Sequence, residues 1–171
     1  MVTQTTKFLG LKTPLAYEWM KIGGKNFHNG LNFAYGGTDV FDTTGGLLPN
    51  MSTQIDFLEK LMHQSLYTKS DLQSSVVLVC LAGNDYAAYV ISQGTDKGLQ
   101  NYIPPVINQL AVNLKRIHGL GASKIVVTAL QPLGCLPRMT RTSFQQCNAT
   151  EKLRPLDYLH THFTIKYLFT I

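Results

Sequence analysis

Cysteine is scarce in this chain, with three in 171 residues, too few for a multi-bridge scaffold. A chain of this length buries roughly two thirds of its unfolded surface and needs neither metal nor disulfides to form a core. Long apolar runs are missing as well. The longest, residues 76–82, falls far short of the roughly 18 residues a membrane-spanning helix requires. No export signal is expected from the beginning of the chain, because residues 1–7 are polar and the apolar run 8–11 is broken by Lys12 and Pro14 before a hydrophobic region can form. The phosphate-cradling patterns GxGxxG and GxxxxGK followed by Ser or Thr do not occur, which excludes the common nucleotide loops. Acidic residues number 10 against 15 Lys and Arg, for a net charge of +5 and a pI near 9.1. The basic residues are scattered. Their only adjacent pair, Lys115 and Arg116, falls on an expected helix and reads as its solvated face, so no nucleic-acid partner is expected.

What is present describes one ordinary soluble domain: 44% hydrophobic and 15% charged residues, without repeats or low-complexity linkers. Residues 75–81, SVVLVCL, form a β-branched and aliphatic run of strand length, expected to be buried on both faces of a parallel sheet. Gly83, Asn84 and Asp85 end it. Pro104 and Pro105 then open a segment in which Ile107, Leu110, Leu114 and Ile117 recur at helical spacing, and Gly119 and Gly121 stop it. A second strand is expected over 124–130, KIVVTAL. Strand, helix and strand in this order make a right-handed βαβ unit and place the chain in the α/β class. Upstream, Thr53 and Asp56 resemble a capping box before the apolar stripe Ile55, Leu58, Leu61, Met62 and Leu66, read as core. Residues 31–34 form a further expected strand that runs into Gly36, Gly37, Thr38 and Asp39.

In open α/β sheets, ligands bind beyond the carboxyl ends of the strands, where both the Gly36-Gly37 and the Gly83-Asn84-Asp85 turns should lie. A glycine pair lets backbone approach a ligand and can aim an N–H at developing negative charge, although an isolated Gly-Gly also serves as a plain turn. An Asn after a buried strand can present its side-chain NH2 as a second donor, while the following Asp braces the loop through backbone hydrogen bonds. Gly-Asn-Asp alone is a common turn too. The combination is more telling: FAYGG and AGND, each behind a strand, in this order and about fifty residues apart.

These blocks resemble those of the plant GDSL esterase/lipases of the SGNH hydrolase superfamily. Residues 31–40, LNFAYGGTDV, look like that family's second block, and residues 81–85, LAGND, like its third. NMSTQIDF at 50–57 and LQPLGCLP at 130–137 follow as they do in family members. The resemblance implies a three-layer, doubly wound parallel sheet of flavodoxin-like type, truncated at both ends. Residues 1–153 would be the central part of the hydrolase domain, and 154–171 a divergent tail that begins where Arg154-Pro155 interrupts the pattern. It further implies a carboxylic ester hydrolase acting by serine acyl transfer on a small acyl ester, lipid or acetylated glycan, with no cofactor and no metal. Gly37 would lend a backbone N–H and Asn84 a side-chain N–H to the oxyanion hole, and Asp85 would be structural. One departure stands beside the site: where relatives often have glycine, this chain has Asp39. A carboxylate pointing into the hole would oppose the charge the hole stabilises.

The family's Gly-Asp-Ser nucleophile block is not found, since no serine of the chain follows Gly-Asp. Asp157 and His160 match the spacing of its DxxH block, but they come too soon after Asn84 and lack the following proline, so the match is read as coincidental. His160 and His162 belong to no cluster with metal-ligand spacing. Cys80 falls inside an expected strand and is taken as a core thiol, while Cys135 and Cys147 sit in loops and could pair. Asn50-Met51-Ser52 and Asn148-Ala149-Thr150 are N-glycosylation sequons that fit the secreted habit of the family. Two readings follow. The chain carries the oxyanion half of a serine esterase and is inactive alone, or it is a non-catalytic ligand-binding or non-functional fragment of that family.

Overall fold

The computed structural model describes residues 6–20, 22, 29–81, 83–92, 96–128 and 130. They fall into two compact units, one up to Gly36 and one from Gly37 onward. In the first, strand β1 (Leu15–Ala16) pairs in parallel with β2 (Leu31–Asn32), Leu15 opposite Leu31. The strand expected over 31–34 is thus realised in its first half only. A single turn of helix, α1 (Tyr17–Met20), follows β1 and buries Tyr17, whose ring lies 5.3 Å from that of Phe33. The Tyr35 hydroxyl donates to the Glu18 carboxylate.

The second unit contains α2 (Met51–His63), α3 (Lys69–Ser74), β3 (Val76–Val79), α4 (Asn84–Ile91), α5 (Asp96–Gly119) and β4 (Lys124–Val127). Strands β3 and β4 pair in parallel, Val76 opposite Lys124 through Val79 opposite Val127, and the Thr128 N–H extends the ladder to the Val79 carbonyl at 2.9 Å. The expected βαβ arrangement is present, with α4 and α5 in the crossover. Burial differs from expectation. Side chains alternate across a strand. Val77, Val79, Ile125 and Val127 face the core, whereas Val76 and Val126, on the other face, are each nearly half exposed. Cys80 continues the outward set and is exposed, so it is not the core thiol its apolar neighbours suggest.

The cap of helix α2 lies three residues before the expected one. Asn50, in extended conformation, accepts from the Thr53 N–H at 3.0 Å and the Thr53 hydroxyl at 3.1 Å. Thr53 is therefore a partner of the cap and not the cap itself. The helix closes with a Schellman motif: Ser65 N–H donates to the Met62 carbonyl and Leu66 N–H to the Leu61 carbonyl. Ser65 takes the left-handed conformation, φ 57°, that glycine ordinarily fills there. Leu66 lies past this end and is 45% exposed, so it drops out of the apolar stripe. Helix α3 opens on a capping box of Thr68 and Asp71.

Helix α5 begins at Asp96, and Pro104 and Pro105 lie inside it instead of opening it. Each proline lacks the N–H that would reach back four residues, so the carbonyls of Gln100 and Asn101 lose their helical donors. Packing carries the helix through this point. Ile103, Val106, Ile107, Leu110 and Ile117 are all buried at spacings of three, four and seven, and form the core with Val40, Met51, Ile55, Val79, Tyr86 and Ala122. Truncating any one of the large aliphatics in such a core costs about 2–5 kcal/mol.

Arg116 corrects the reading of the Lys115-Arg116 pair as a solvated face. Its guanidinium grips Glu59 with two nitrogens, at 2.7 and 2.5 Å, and Asp56 at 2.6 Å, tying α5 to α2. These bonds hold the Glu59 carboxyl below its usual range and push the guanidinium further up. Lys115 remains exposed. Past α5, Gly121 has φ +118°, and a Cβ there would lie 2.6 Å from Lys69 Cγ and 3.2 Å from the Lys69 carbonyl oxygen. Only glycine allows α5 to turn into β4 this close to α3. Among the described residues no helix is long and apolar enough to cross a membrane.

Candidate active site

Asp39, in the loop that starts at Gly37, and Asn84, in the first turn of α4, are forty-five residues apart in sequence, and hydrogen bonds stitch the two segments together. Gly37 is exposed and left-handed, φ +87°, with nothing within 4 Å of the place a Cβ would take. Backbone conformation, not crowding, is what requires glycine there. Thr43 Oγ1 donates to the Gly37 carbonyl at 2.7 Å and holds the turn from one side. Thr38, Asp39 and Val40 then dive into the interior, and the Asp39 carbonyl accepts from the Met51 N–H at 2.9 Å, which fastens the loop to the start of α2.

Strand β3 delivers Gly83, φ +83°, as the N-cap of α4. Having no side chain, it leaves the first N–H groups of the helix without a local cap. Asp39 fills that role across the gap: its Oδ2 accepts from the Asn84 N–H at 2.5 Å and from the Asp85 N–H at 3.4 Å. In return, the Asp85 carboxylate accepts from the Val40 and Phe41 N–H groups, each at 3.0 Å. Asn84 Nδ2 donates to the Thr38 carbonyl at 3.2 Å. The carboxamide of Asn84 is thereby bonded to the residue next to Gly37, and its second N–H hydrogen is not needed for that bond.

Two buried carboxylates share this clasp, Asp39 at 5% and Asp85 at 1% exposure. Burial raises the Asp85 carboxyl to about 6. The two backbone N–H groups work against that shift, and the Asp39 charge adds to it. Tyr86, next in the helix and also buried, is pushed up by burial first and then by Asp85 and Asp39. It meets the Tyr102 ring edge-on at 6.3 Å, while Tyr89 stacks on Tyr102 at 5.0 Å and Phe41 approaches it at 6.1 Å. This aromatic group backs the clasp with apolar bulk. Gln54 links the loop to its surroundings, its Nε2 donating to Thr38 Oγ1 at 3.4 Å and to the Pro49 carbonyl at 3.0 Å. Beyond Pro49 opens a surface cavity of about 260 Å³ whose walls include Asp42, Leu47, Leu48, Asn50 and Thr53.

The structure thus sets the Gly37 loop against Asn84 and Asp85. Asp39 points onto the α4 amides, a role that its neighbourhood to a Gly pair does not reveal and that only the approach of α4 creates. Strand β2 pairs with β1, and β3 with β4, in two separate two-stranded sheets. Asp157, His160, His162, Cys135, Cys147 and the sequon at Asn148 lie outside the described residues. The sequon residue Asn50 is the α2 cap. Among the described residues no group of three or more His, Cys, Asp or Glu is placed to hold a metal ion.

A family model described as GDSL-like lipase/acylhydrolase matches residues 3–163. GDSL esterase/lipase At3g09930 of Arabidopsis thaliana is 47% identical over 148 residues, 85% of this chain and 42% of its own length. GDSL esterase/lipase At5g03610 of the same plant is 47% identical over 148 residues, covering 85% of this chain and 41% of its own. Acetylajmalan esterase 2 of Rauvolfia serpentina is 28% identical over 127 residues, 66% of this chain and 35% of its own. The chain spans less than half the length of these curated relatives. No solved structure matches it. With a family model covering nearly all of its length and close relatives that carry the family's name, the chain belongs to the GDSL esterase/lipase family.

Proposed function

We propose that this chain supplies the oxyanion-stabilising half of a carboxylic ester hydrolase that works by serine acyl transfer, with the Gly37 N–H and Asn84 Nδ2 as the two donors. Such donors act where negative charge develops on the carbonyl oxygen in the tetrahedral transition state, and the loss of one typically costs about 10²–10³ in rate. One observation carries the reading: the Asn84 carboxamide is held against the Thr38 carbonyl, one residue from a glycine whose left-handed backbone exposes the chain. The nucleophile and its His/Asp partners are expected outside this chain's contribution, since no serine here follows Gly-Asp. The substrate class is a small acyl ester, lipid or acetylated glycan, and the similarity to acetylajmalan esterase 2 supports an acyl ester. The finer fold is a three-layer, doubly wound parallel sheet, and the compartment is extracellular.

The test is a titration of the isotopically labelled chain with acetate, whose carboxylate mimics the oxyanion. Shifts concentrated on the Gly37 amide and the Asn84 side-chain NH2, lost in Asn84→Ala, are expected. Shifts elsewhere, or none, would refute the donor assignment. A fluorophosphonate probe should leave the chain unlabelled, and labelling would overturn the statement that the nucleophile is supplied from outside it.

A further inference from the structure

We infer that Asp39 is a positioning residue for Asn84. Its carboxylate caps α4 from another part of the chain and fixes the helical turn from which the Asn84 carboxamide projects. Gly83 has no side chain with which to cap the helix. The Asn84 and Asp85 N–H groups both point at Asp39 Oδ2, and a carboxylate is favoured there by the positive end of the helix dipole as well as by the bonds themselves. The contact is reciprocal, because the helix it caps returns Asp85 to the amides immediately after Asp39. The Asn84 backbone is therefore held by Asp39 and its side chain by the Thr38 carbonyl, two adjacent residues of one loop. A carboxylate beside Gly37 could have opposed an oxyanion. Here its charge is directed onto the α4 amides instead, and it acts through Asn84 and not on a reacting atom.

The role assigned to Asn84 rests on the acyl-transfer reading above, but the readouts do not. Nuclear magnetic resonance on the full chain compares Asp39→Ala, which removes the acceptor, with Asp39→Asn, which keeps a carbonyl oxygen in reach of the same N–H without the charge. In D39A, amide exchange at Asn84 and Asp85 is expected to quicken by about tenfold, the equivalent of one hydrogen bond. The two Asn84 side-chain N–H signals should move toward those of a free carboxamide. In D39N, exchange should stay within about threefold of the parent, with the side-chain signals retained. Unmoved Asn84 side-chain signals in D39A, or D39N as disturbed as D39A, would overturn the assignment. If D39A does not fold, Asp39→Glu decides. It keeps the charge but is one methylene too long to place its oxygen at the same N–H, so displaced Asn84 signals support positioning and unmoved ones overturn it. Failure of the acyl-transfer reading shows up separately, as the absence of acetate-induced shifts in the unsubstituted chain.

Discussion

Asp85 sets two effects against each other, and replacing it with asparagine measures which wins. Its carboxylate is almost fully buried, which disfavours the charged form, yet it accepts two backbone N–H bonds at 3.0 Å, which favour it. In this structure burial prevails, and the carboxyl rises from 3.8 to about 6. The sign follows directly. A folded-state value above the unfolded one means that the native state holds the proton more tightly, so the contribution to stability is fully present below pH 3.8 and is lost as pH rises through about 6. At about 1.4 kcal/mol per unit, the loss amounts to at most about 3 kcal/mol. Asparagine has no such dependence. It also turns one acceptor into an NH2 facing an N–H, which costs about 1–3 kcal/mol at any pH. Urea unfolding of the parent and Asp85→Asn at pH 4, 5, 6 and 7 should therefore show the parent's advantage largest near pH 4 and shrinking toward neutrality. A gap that widens with pH would mean that the two N–H bonds outweigh burial, and the reasoning would fail.

Three further predictions concern the frame around the site. Gly121→Ala forces a side chain into a left-handed backbone against the Lys69 carbonyl and should cost about 2–4 kcal/mol, or roughly 4–16 °C in Tm. Gly119→Ala, two residues away with open space around it, should change stability by at most about 1 kcal/mol and in the favourable direction; equal effects of the two would contradict the steric account. Ser65→Gly relieves the left-handed serine of the α2 Schellman motif and should stabilise by about 0.5–1 kcal/mol in a thermal melt. Arg116→Ala should cost about 1–2 kcal/mol, with a double-mutant cycle against Glu59→Gln isolating the bidentate pair and high salt reducing the coupling.

Much of the frame was legible in the residues. The apolar runs at β3 and β4 predicted a parallel pair, and the stripe from Ile107 to Ile117 predicted a core-facing helix, because period and burial are local consequences of side-chain spacing. The errors share one cause. Pro104 and Pro105 look like a helix start, yet packing of Ile103 and Val106 carries the helix through them. Cys80 looks buried among its apolar neighbours, yet strand alternation turns it outward. Thr53 looks like a cap until Asn50 takes its N–H. In each case the preference of a single residue gave way to its setting, whether packing, strand alternation or a competing cap three residues upstream.

The sequence alone determined the family, the order of the glycine and Gly-Asn-Asp blocks and the βαβ element, since these depend on residue type and spacing. Only the tertiary structure decided what Asp39 does and which amides Asp85 braces. A carboxylate has no preferred role until its surroundings are set. The Asp39 side chain could oppose an oxyanion or cap a helix, and the approach of α4 to residues 38–41 selects the second by placing unsatisfied N–H groups where the charge is held.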